Sequence, residues 1–237
     1  MEPTEPQYST VTKLARIAWL SGRDPLKKFD ALMHLFNKES LTACFHELDG
    51  KKAVGCDKVS KDEYGEKLDE NLEILLEKMK KMAYRPGPVR EVLIPKEGKA
   101  GSFRPLGIGN FEDKLVQKMT AKILESIFEP TFLDCSYGFR PGRGCHDAIR
   151  GLRSYLYTNK VESVIDVDLA NFFGTIGRGL VNQVSMKINP LFDLFRLTPA
   201  LFQFAASGFI CSILRRLETQ KCGSCLFFRF SRKLFLV

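Results

Sequence analysis

The charge balance of the chain changes abruptly after residue 176, and this break limits how much of the sequence can belong to one continuous fold. Residues 177–237 carry nine Lys or Arg, only two acidic residues and nine of the 19 Phe. Residues 1–176 carry the other 27 basic and 26 acidic residues, so their charges nearly cancel. Such a break marks a domain boundary or a change in the origin of the sequence. We therefore predict a helical N-terminal region (1–62), a central domain (63–176) and a divergent basic tail (177–237).

The composition predicts a globular protein of the reducing cytoplasm. The 237 residues are 44% hydrophobic and 27% charged, which is typical of folded domains. The seven Cys are an odd number scattered along the chain, and this favours free thiols over a disulfide framework. The longest nearly uncharged apolar stretch, residues 197–214, is interrupted by Pro199 and several polar residues, so no membrane span is expected. The formal net charge of +8 favours an acidic partner such as nucleic acid.

The spacing of apolar residues predicts an α+β fold. Helical periodicity is present in five segments, 11–20, 26–48 with a break near Asn37, 68–79, 113–127 and 146–157. Residues 49–62 are predicted as a loop, Asp113 as a helix cap, and His146–Asp147 as a capping dipeptide in preference to a metal site. Strands are predicted at 89–94, 104–108 and 163–168, and the glycine-bearing basic loop 95–102 joins the first two as a hairpin.

Two acidic residues near the end of the last predicted strand form the sharpest local feature. Asp166 and Asp168 are two residues apart within Val164–Phe173, so their side chains fall on one face of the strand. Mg²⁺ in proteins takes one or two carboxylates together with the phosphates of its substrate. The spacing therefore indicates a magnesium site, or alternatively a pair of solvated acids at a strand end.

Two basic segments could bind phosphate groups. Lys96 and Arg104 flank the hairpin turn, where an ammonium and a guanidinium group could clamp a triphosphate. Arg140 and Arg143 lie among glycines and aromatic residues in the segment Ser136–Gly144, a composition that suits contact with nucleic acid. A solvated charged turn and an ordinary surface loop are the respective alternatives.

Taken in order, these segments resemble the first half of a reverse transcriptase of the group II intron type, a family whose members also serve as maturases. Tyr84–Lys96 followed by Arg104–Ile108 resembles the first conserved block of that family. Phe128–Phe132 and Ser136–Arg143 resemble the second block, and Asp166–Phe173 resembles the third. Three blocks in the correct order make chance similarity very improbable.

The resemblance covers residues 25–176 and implies a fold, an activity and partners. The fold would be the reverse-transcriptase fingers with a partial palm, preceded by a helical region. The activity would be RNA-directed DNA polymerisation, in which dNTPs are added to a DNA primer on an RNA template, such as intron RNA, by two-metal phosphoryl transfer with Mg²⁺. Arg140 and Arg143 would lie along the RNA template or the nucleotide.

The resemblance also implies roles for individual residues at the active centre. Asp168 would be the catalytic aspartate and a Mg²⁺ ligand, with the carbonyl of Leu169 as a second ligand. Phe173 would lie under the sugar and select dNTPs by excluding a 2′-hydroxyl group. Lys96 and Arg104 would hold the incoming triphosphate.

The chain departs from the family pattern after the third block. Gly174 stands where the family usually has Asp, and the Asp-Asp pair that supplies the second catalytic carboxylates is absent from the sequence. After Asp168 the only acids are Asp193 and Glu218. We therefore expect a truncated protein that is inactive alone, with a palm strand that lacks its usual neighbours and an edge left unpaired, and a tail that arises from a frameshift.

Two other hypotheses fit these departures. The chain could be a non-catalytic fragment that binds intron RNA and assists splicing, or one that assists a complete reverse transcriptase subunit. It could also be a remnant without a function. Template-directed extension and salt-dependent RNA binding are the measurements that separate these hypotheses.

Overall fold

The computed structural model describes residues 9–95, 101–161, 165–168, 226–230 and 233–236. It combines helices with two small sheets, and this confirms the predicted α+β class. The α-helices are α1 (Thr10–Arg23), α2 (Lys38–Glu47), α3 (Lys61–Glu66), α4 (Leu68–Lys80), α5 (Phe111–Phe128) and α6 (Cys145–Thr158). The strands are β1 (Arg90–Pro95), β2 (Phe103–Ile108), β3 (Ile165–Asp168), β4 (Leu226–Phe230) and β5 (Lys233–Leu236), and short 3-10 turns cover Met33–Leu35 and Glu129–Thr131. No helix in the described ranges is long and apolar enough to cross a membrane.

The chain divides into two compact units, and the first contains the described residues within Met1–Leu14 and Asp30–Ile123. Its core is built from the apolar faces of α2, α4 and α5. Leu41, Leu72, Leu75 and Leu115 are completely buried there. The periodic leucines that predicted α4 therefore do face the core, and the hairpin of β1 and β2 extends from the same unit.

The second unit contains the described residues within Ala15–Phe29, Leu124–Asn189 and Pro199–Val237. Ile127 and Ala148 are buried in it, and the Ser21 hydroxyl donates a 2.5 Å hydrogen bond to the carbonyl of Ile127. The sheet of this unit has the order β3-β4-β5, with β3 parallel to β4 and β4 antiparallel to β5.

The pairing of β3 corrects one sequence expectation. We expected the strand that ends at Asp168 to lack a neighbour, but Ile165–Asp168 pairs along its length with Leu226–Phe230. The segment that supplies this neighbour has the sequence Leu-Phe-Phe-Arg-Phe, which has high β-propensity. The tail therefore contributes a strand to this sheet.

The break predicted near Asn37 within the helical segment 26–48 is confirmed, because α2 begins at Lys38. Asn37 stops the helix from extending backwards because its own backbone is extended and its side chain caps the first turn. The Ser40 N–H donates to Asn37 Oδ1 at 2.9 Å, and the Asn37 N–H donates to Ser40 Oγ at 3.1 Å. This reciprocal capping box fixes the start of α2.

The starts of three other helices test the sequence prediction. Asp113 is not a helix cap: α5 begins at Phe111, and the Asp113 carboxylate accepts hydrogen bonds from other segments. Asp147 does cap α6, because its carboxylate accepts the Gly144 N–H at 2.8 Å. Part of the predicted loop 49–62 is helical, since α3 begins at Lys61.

The segment from Gly55 to Asp57 is held tightly against the start of α5 by Asn110. The N–H of Cys56 donates to Asn110 Oδ1 at 3.0 Å. A Cβ atom on Gly55 would lie 2.7 Å from Asn110 Cα, which is shorter than a van der Waals contact. Only glycine therefore allows this close approach of two backbones.

We expect Gly55→Ala to lower the free energy of unfolding by about 1–3 kcal/mol, because the added methyl group must displace backbone atoms. Gly109→Ala is the matched control, since the nearest atom to its added Cβ would be Asp113 Cβ at 3.9 Å. Urea unfolding followed by circular dichroism measures both changes. Equal stabilities of the two variants would contradict the packing described here.

Candidate nucleic-acid interface

The hairpin of β1 and β2 places two arginines on one exposed face. In its antiparallel register Arg90 lies opposite Ile108, and Arg104 lies opposite Ile94. Directly opposed residues share a face, and residues two apart along a strand also share it. Arg90 and Arg104 are therefore at opposite ends of the same face, and both are exposed.

An apolar centre separates these two arginines. Val92 and Leu106 are paired on the same face, and they are 37% and 47% exposed. A surface with cations at its ends and apolar groups between them can contact both the phosphates and the bases of a nucleic acid. We call Arg90, Val92, Leu106 and Arg104 the hairpin face.

Sequence reasoning identified Arg104 but missed Arg90. The sequence did contain a signal for Arg90, because strand alternation from Ile94 puts Val92 and Arg90 on one side.

Lys114 lies near Arg90, and partial burial lowers the pKa of the Lys114 amino group. Lys114 Nζ donates to the carbonyl of Ala53 at 2.6 Å. Lys96, the second predicted triphosphate ligand, lies outside the described residues.

The side chain of Arg140 is buried, and its guanidinium group is hydrogen-bonded to other residues of this chain. Its side chain is only 6% exposed, and Nη2 lies 2.8 Å from Glu129 Oε1. Nε donates to the same oxygen at 2.9 Å, and Nη1 donates to the carbonyls of Leu133 and Ser136 at 2.7 and 2.8 Å. The guanidinium group also lies over the ring of Phe132. Arg140 therefore joins the end of the Glu129–Thr131 turn to the following loop.

Arg143 is more accessible than Arg140. Its side chain is 28% exposed and pairs with Asp134, whose carboxylate is fully exposed. The Arg143 guanidinium also lies 5.4 Å from the centre of the Tyr137 ring. Arg143 Nη1 also donates to the backbone carbonyls of Asp134 and Ser136. The ion pair through Nη2 is weak because water competes for both charges, so Nη2 can exchange the Asp134 carboxylate for a phosphate group.

The loop that carries these two arginines has an unusual backbone. Phe139 has φ of 58° and Gly142 has φ of 68°, both in the left-handed region that is rare for residues with a side chain. The arginines are therefore presented by a loop whose shape is fixed by internal hydrogen bonds and two left-handed residues. Local sequence suggested the loop but not the different burial of its two arginines.

The predicted catalytic centre is only partly within the described residues. The backbone of β3 ends at Asp168, at the edge where the third conserved block would place it. Leu169 and Phe173 lie outside the described residues. Across the ranges that the structure describes, no group of three or more His, Cys, Asp or Glu is arranged to hold a metal ion.

Asp113 anchors the base of the hairpin. It is 5% exposed, and its Oδ1 accepts the Tyr84 hydroxyl at 2.5 Å while its Oδ2 accepts the Gly87 N–H at 3.0 Å. Burial, followed by the hydrogen bond to Asp113, raises the pKa of Tyr84, so that this phenol stays a neutral donor. These bonds fix the segment through which the chain leaves α4 and enters β1.

Comparison with known proteins shows what part of this sequence is similar to. Residues 94–178 match the family model described as reverse transcriptase (RNA-dependent DNA polymerase). The group II intron-encoded protein LtrA of Lactococcus lactis subsp. cremoris is 32% identical over 143 residues, which are 60% of this chain and 23% of that protein. Part of the chain is therefore similar in sequence to the reverse transcriptase family model and to a group II intron-encoded protein.

Other relatives of this reverse transcriptase segment cover different shares of the chain. Protein YkfC of Escherichia coli K12 is 33% identical over 174 residues, 70% of this chain and 45% of that protein. The putative COX1/OXI3 intron 2 protein of Saccharomyces cerevisiae is 39% identical over 107 residues, 44% of this chain and 12% of that protein. The chain thus spans less than half the length of each of these curated relatives. The family match ends at residue 178, next to the change in charge balance.

We expect the two loop arginines to differ in their effect on stability. Arg140→Ala should lower the free energy of unfolding by about 3 kcal/mol or more, because it leaves the Glu129 carboxylate without its cation and removes the hydrogen bonds to the carbonyls of Leu133 and Ser136. Arg143→Ala should lower it by about 1–2 kcal/mol, because its ion pair is exposed and only its hydrogen bonds to the carbonyls of Asp134 and Ser136 are lost besides. Urea unfolding of both variants measures the difference. A larger loss in Arg143→Ala than in Arg140→Ala would show that the burial of Arg140 has been misassigned.

Proposed function

We propose that this chain is the fingers and the first palm strand of a group II intron-type reverse transcriptase, an RNA-directed DNA polymerase by family. The observation that carries the proposal is the hairpin face. Arg104 and its partner strand residue Ile94 lie within the segment that matches the reverse transcriptase family model. In this proposal β1 and β2 are the fingers hairpin, and β3 is the strand that carries the catalytic aspartate.

The hairpin face would contact a nucleotide or the template. Arg104 would bind phosphate oxygens through its planar fork of donors, together with Lys96 from the turn. Arg90 would bind a second phosphate at the other end of the face. Arg143 would contact the RNA template, while Arg140 supports the loop that presents Arg143.

The carboxylate at the end of β3 fits Mg²⁺ only in part. Asp168 is a hard oxygen donor at a strand end, and the carbonyl of Leu169 would be a second donor of the same kind. Such a pair suits Mg²⁺ when substrate phosphates complete the ligand set. A bound Mg²⁺ would neutralise charge on the triphosphate, and Phe173 would contact the sugar. Two-metal transfer needs further carboxylates, and after Asp168 this sequence offers only Asp193 and Glu218.

We therefore propose that the chain binds RNA, a DNA primer and dNTPs but does not polymerise DNA alone. A second function, non-catalytic binding of intron RNA that assists splicing or a complete reverse transcriptase subunit, is favoured by the same shortage of acids. Cys44, Cys56 and Cys145 are free thiols, which supports a reducing compartment such as the cytoplasm. The division at residues 62 and 176 and the frameshift origin of the tail stay predictions.

The first prediction from this proposal concerns activity. Purified chain with an RNA template, a DNA primer, dNTPs and Mg²⁺ should give no primer extension, yet should bind the RNA in a salt-dependent manner. Gel-based extension and fluorescence anisotropy measure the two properties. Extension that is lost in Asp168→Asn would contradict the expected inactivity, and a complete lack of RNA binding would contradict the whole proposal.

The second prediction concerns the hairpin face. Arg90→Ala and Arg104→Ala should each weaken RNA binding and reduce the slope of log affinity against log salt by about one, as expected when one phosphate contact is lost. Lys81→Ala is the control, because it removes an exposed cation that pairs with Glu77 on the surface of α4. Anisotropy titrations at several salt concentrations give the slopes. Equal effects of the three substitutions would indicate binding by overall charge alone.

A further inference from the structure

Two polar side chains hold the ends of the hairpin of β1 and β2. Asp113 holds the segment before β1, because its carboxylate accepts hydrogen bonds from the Tyr84 hydroxyl and the Gly87 N–H. Asn110 comes directly after β2, and its Oδ1 accepts the Cys56 N–H at 3.0 Å. Both contacts lie in or just before the first turn of α5, so this turn controls how the hairpin leaves the first unit.

Side-chain packing does little to fix the direction of the hairpin. Every residue of β1 and β2 is exposed except Ile94 and Ile108, which are half-buried, and a two-stranded hairpin is only marginally stable without a packed face. A cavity of about 390 Å³ lies at the foot of the hairpin, where Gly87, Asn110 and Asp113 are among its lining residues. Van der Waals contacts are therefore missing on that side too, and the hydrogen bonds at the foot determine the orientation.

The bond between Tyr84 and Asp113 is short and buried. Tyr84 is 2% exposed and Asp113 is 5% exposed, and the hydroxyl lies 2.5 Å from the carboxylate oxygen. Burial, and then the hydrogen bond to Asp113, raises the pKa of Tyr84, so the phenol keeps the proton that it donates. A hydrogen bond to an ionised acceptor is about twice as strong as one between neutral groups. This bond therefore contributes much of the rigidity of the foot.

The two arginines of the hairpin face differ in their distance from this anchor. Arg90 begins β1, three residues after Gly87, whereas Arg104 lies opposite Ile94 near the other end of the strand. At about 3.3 Å per residue, the two arginines are separated by about 13 Å along the hairpin. A rotation of about 15° at the Arg90 end would then move Arg104 by about 3 Å, which is enough to break a hydrogen bond to a phosphate group.

We propose that Asp113 and Tyr84 are positioning residues for RNA binding. Their bond holds the hairpin in the orientation in which Arg90 and Arg104 contact the RNA backbone at the same time. Neither residue touches the RNA, and their effect passes through the two arginines. The inference rests on the proposed function, because it requires that the hairpin face binds RNA. It adds that a buried pair outside this face sets the affinity.

Fluorescence anisotropy with the full chain and a labelled single-stranded RNA tests this role. Tyr84→Phe keeps the buried ring and removes only the hydroxyl. RNA affinity should fall about three- to tenfold, because the loss of one hydrogen bond to a charged group lowers the fraction of chains with an aligned hairpin. The slope of log affinity against log salt should fall towards that of Arg104→Ala, since the arginine farther from the anchor loses its phosphate.

A double-mutant cycle separates positioning from a general loss of stability. In a chain that carries both Arg90→Ala and Arg104→Ala, Tyr84→Phe should change the affinity by less than about twofold, because no arginine of the face is left to position. Asp113→Asn should recover most of the affinity that Asp113→Ala loses. Its amide oxygen can still accept the Gly87 N–H, and its amide N–H can donate to the Tyr84 oxygen.

Thr120→Val is the matched control. It also removes a buried hydroxyl, one that donates to the carbonyl of Val116 within α5 at 2.8 Å, and it should leave the RNA affinity unchanged. If Arg90→Ala and Arg104→Ala weaken binding but Tyr84→Phe does not, the positioning role is wrong and the proposed function stands. If neither arginine substitution weakens binding, both proposals fail. Equal losses from Tyr84→Phe with and without the two arginines would also overturn the positioning role.

Discussion

The buried carboxylate of Asp113 is the contact on which the hairpin and the neighbouring cavity both depend. A buried charge is stable only when its oxygens are hydrogen-bonded, and here both oxygens are used, one by the Tyr84 hydroxyl and one by the Gly87 N–H. These bonds tie the first turn of α5 to the segment that follows α4. They direct the chain into β1, and Gly87 and Asp113 also line the cavity.

Arginines in this chain divide between structural and surface positions, although their local sequences are similar. Arg140 is held by Glu129 and two carbonyls, so its contribution is to the shape of the loop. Arg90 and Arg104 lie on an exposed face, so their charges are available to phosphate groups. A guanidinium group that is fully hydrogen-bonded internally would lose those bonds before it could bind RNA, which makes the exposed arginines better candidates.

The similarity to reverse transcriptases indicates what the hairpin face could bind, which its geometry alone does not. A twisted hairpin with two exposed arginines could serve many binding functions. Its second strand lies within the segment that matches the reverse transcriptase family model, ahead in sequence of a strand that ends at Asp168, and this favours nucleotide or template contact. The sequence after Asp168 supplies too few acids for two-metal transfer, and this is why binding and catalysis are separated in the proposed function.

The sequence alone determined the α+β class, the helix of periodic leucines at α4, the β1–β2 hairpin and the family. Each of these depends on local periodicity, turn residues or the order of motifs. Only the tertiary structure decided that Asp113 is an anchor, that Arg140 is buried and Arg143 accessible, and that β3 pairs with Leu226–Phe230. These outcomes depend on contacts between residues far apart in the chain, because burial and available partners, rather than residue type, set what a charged side chain does.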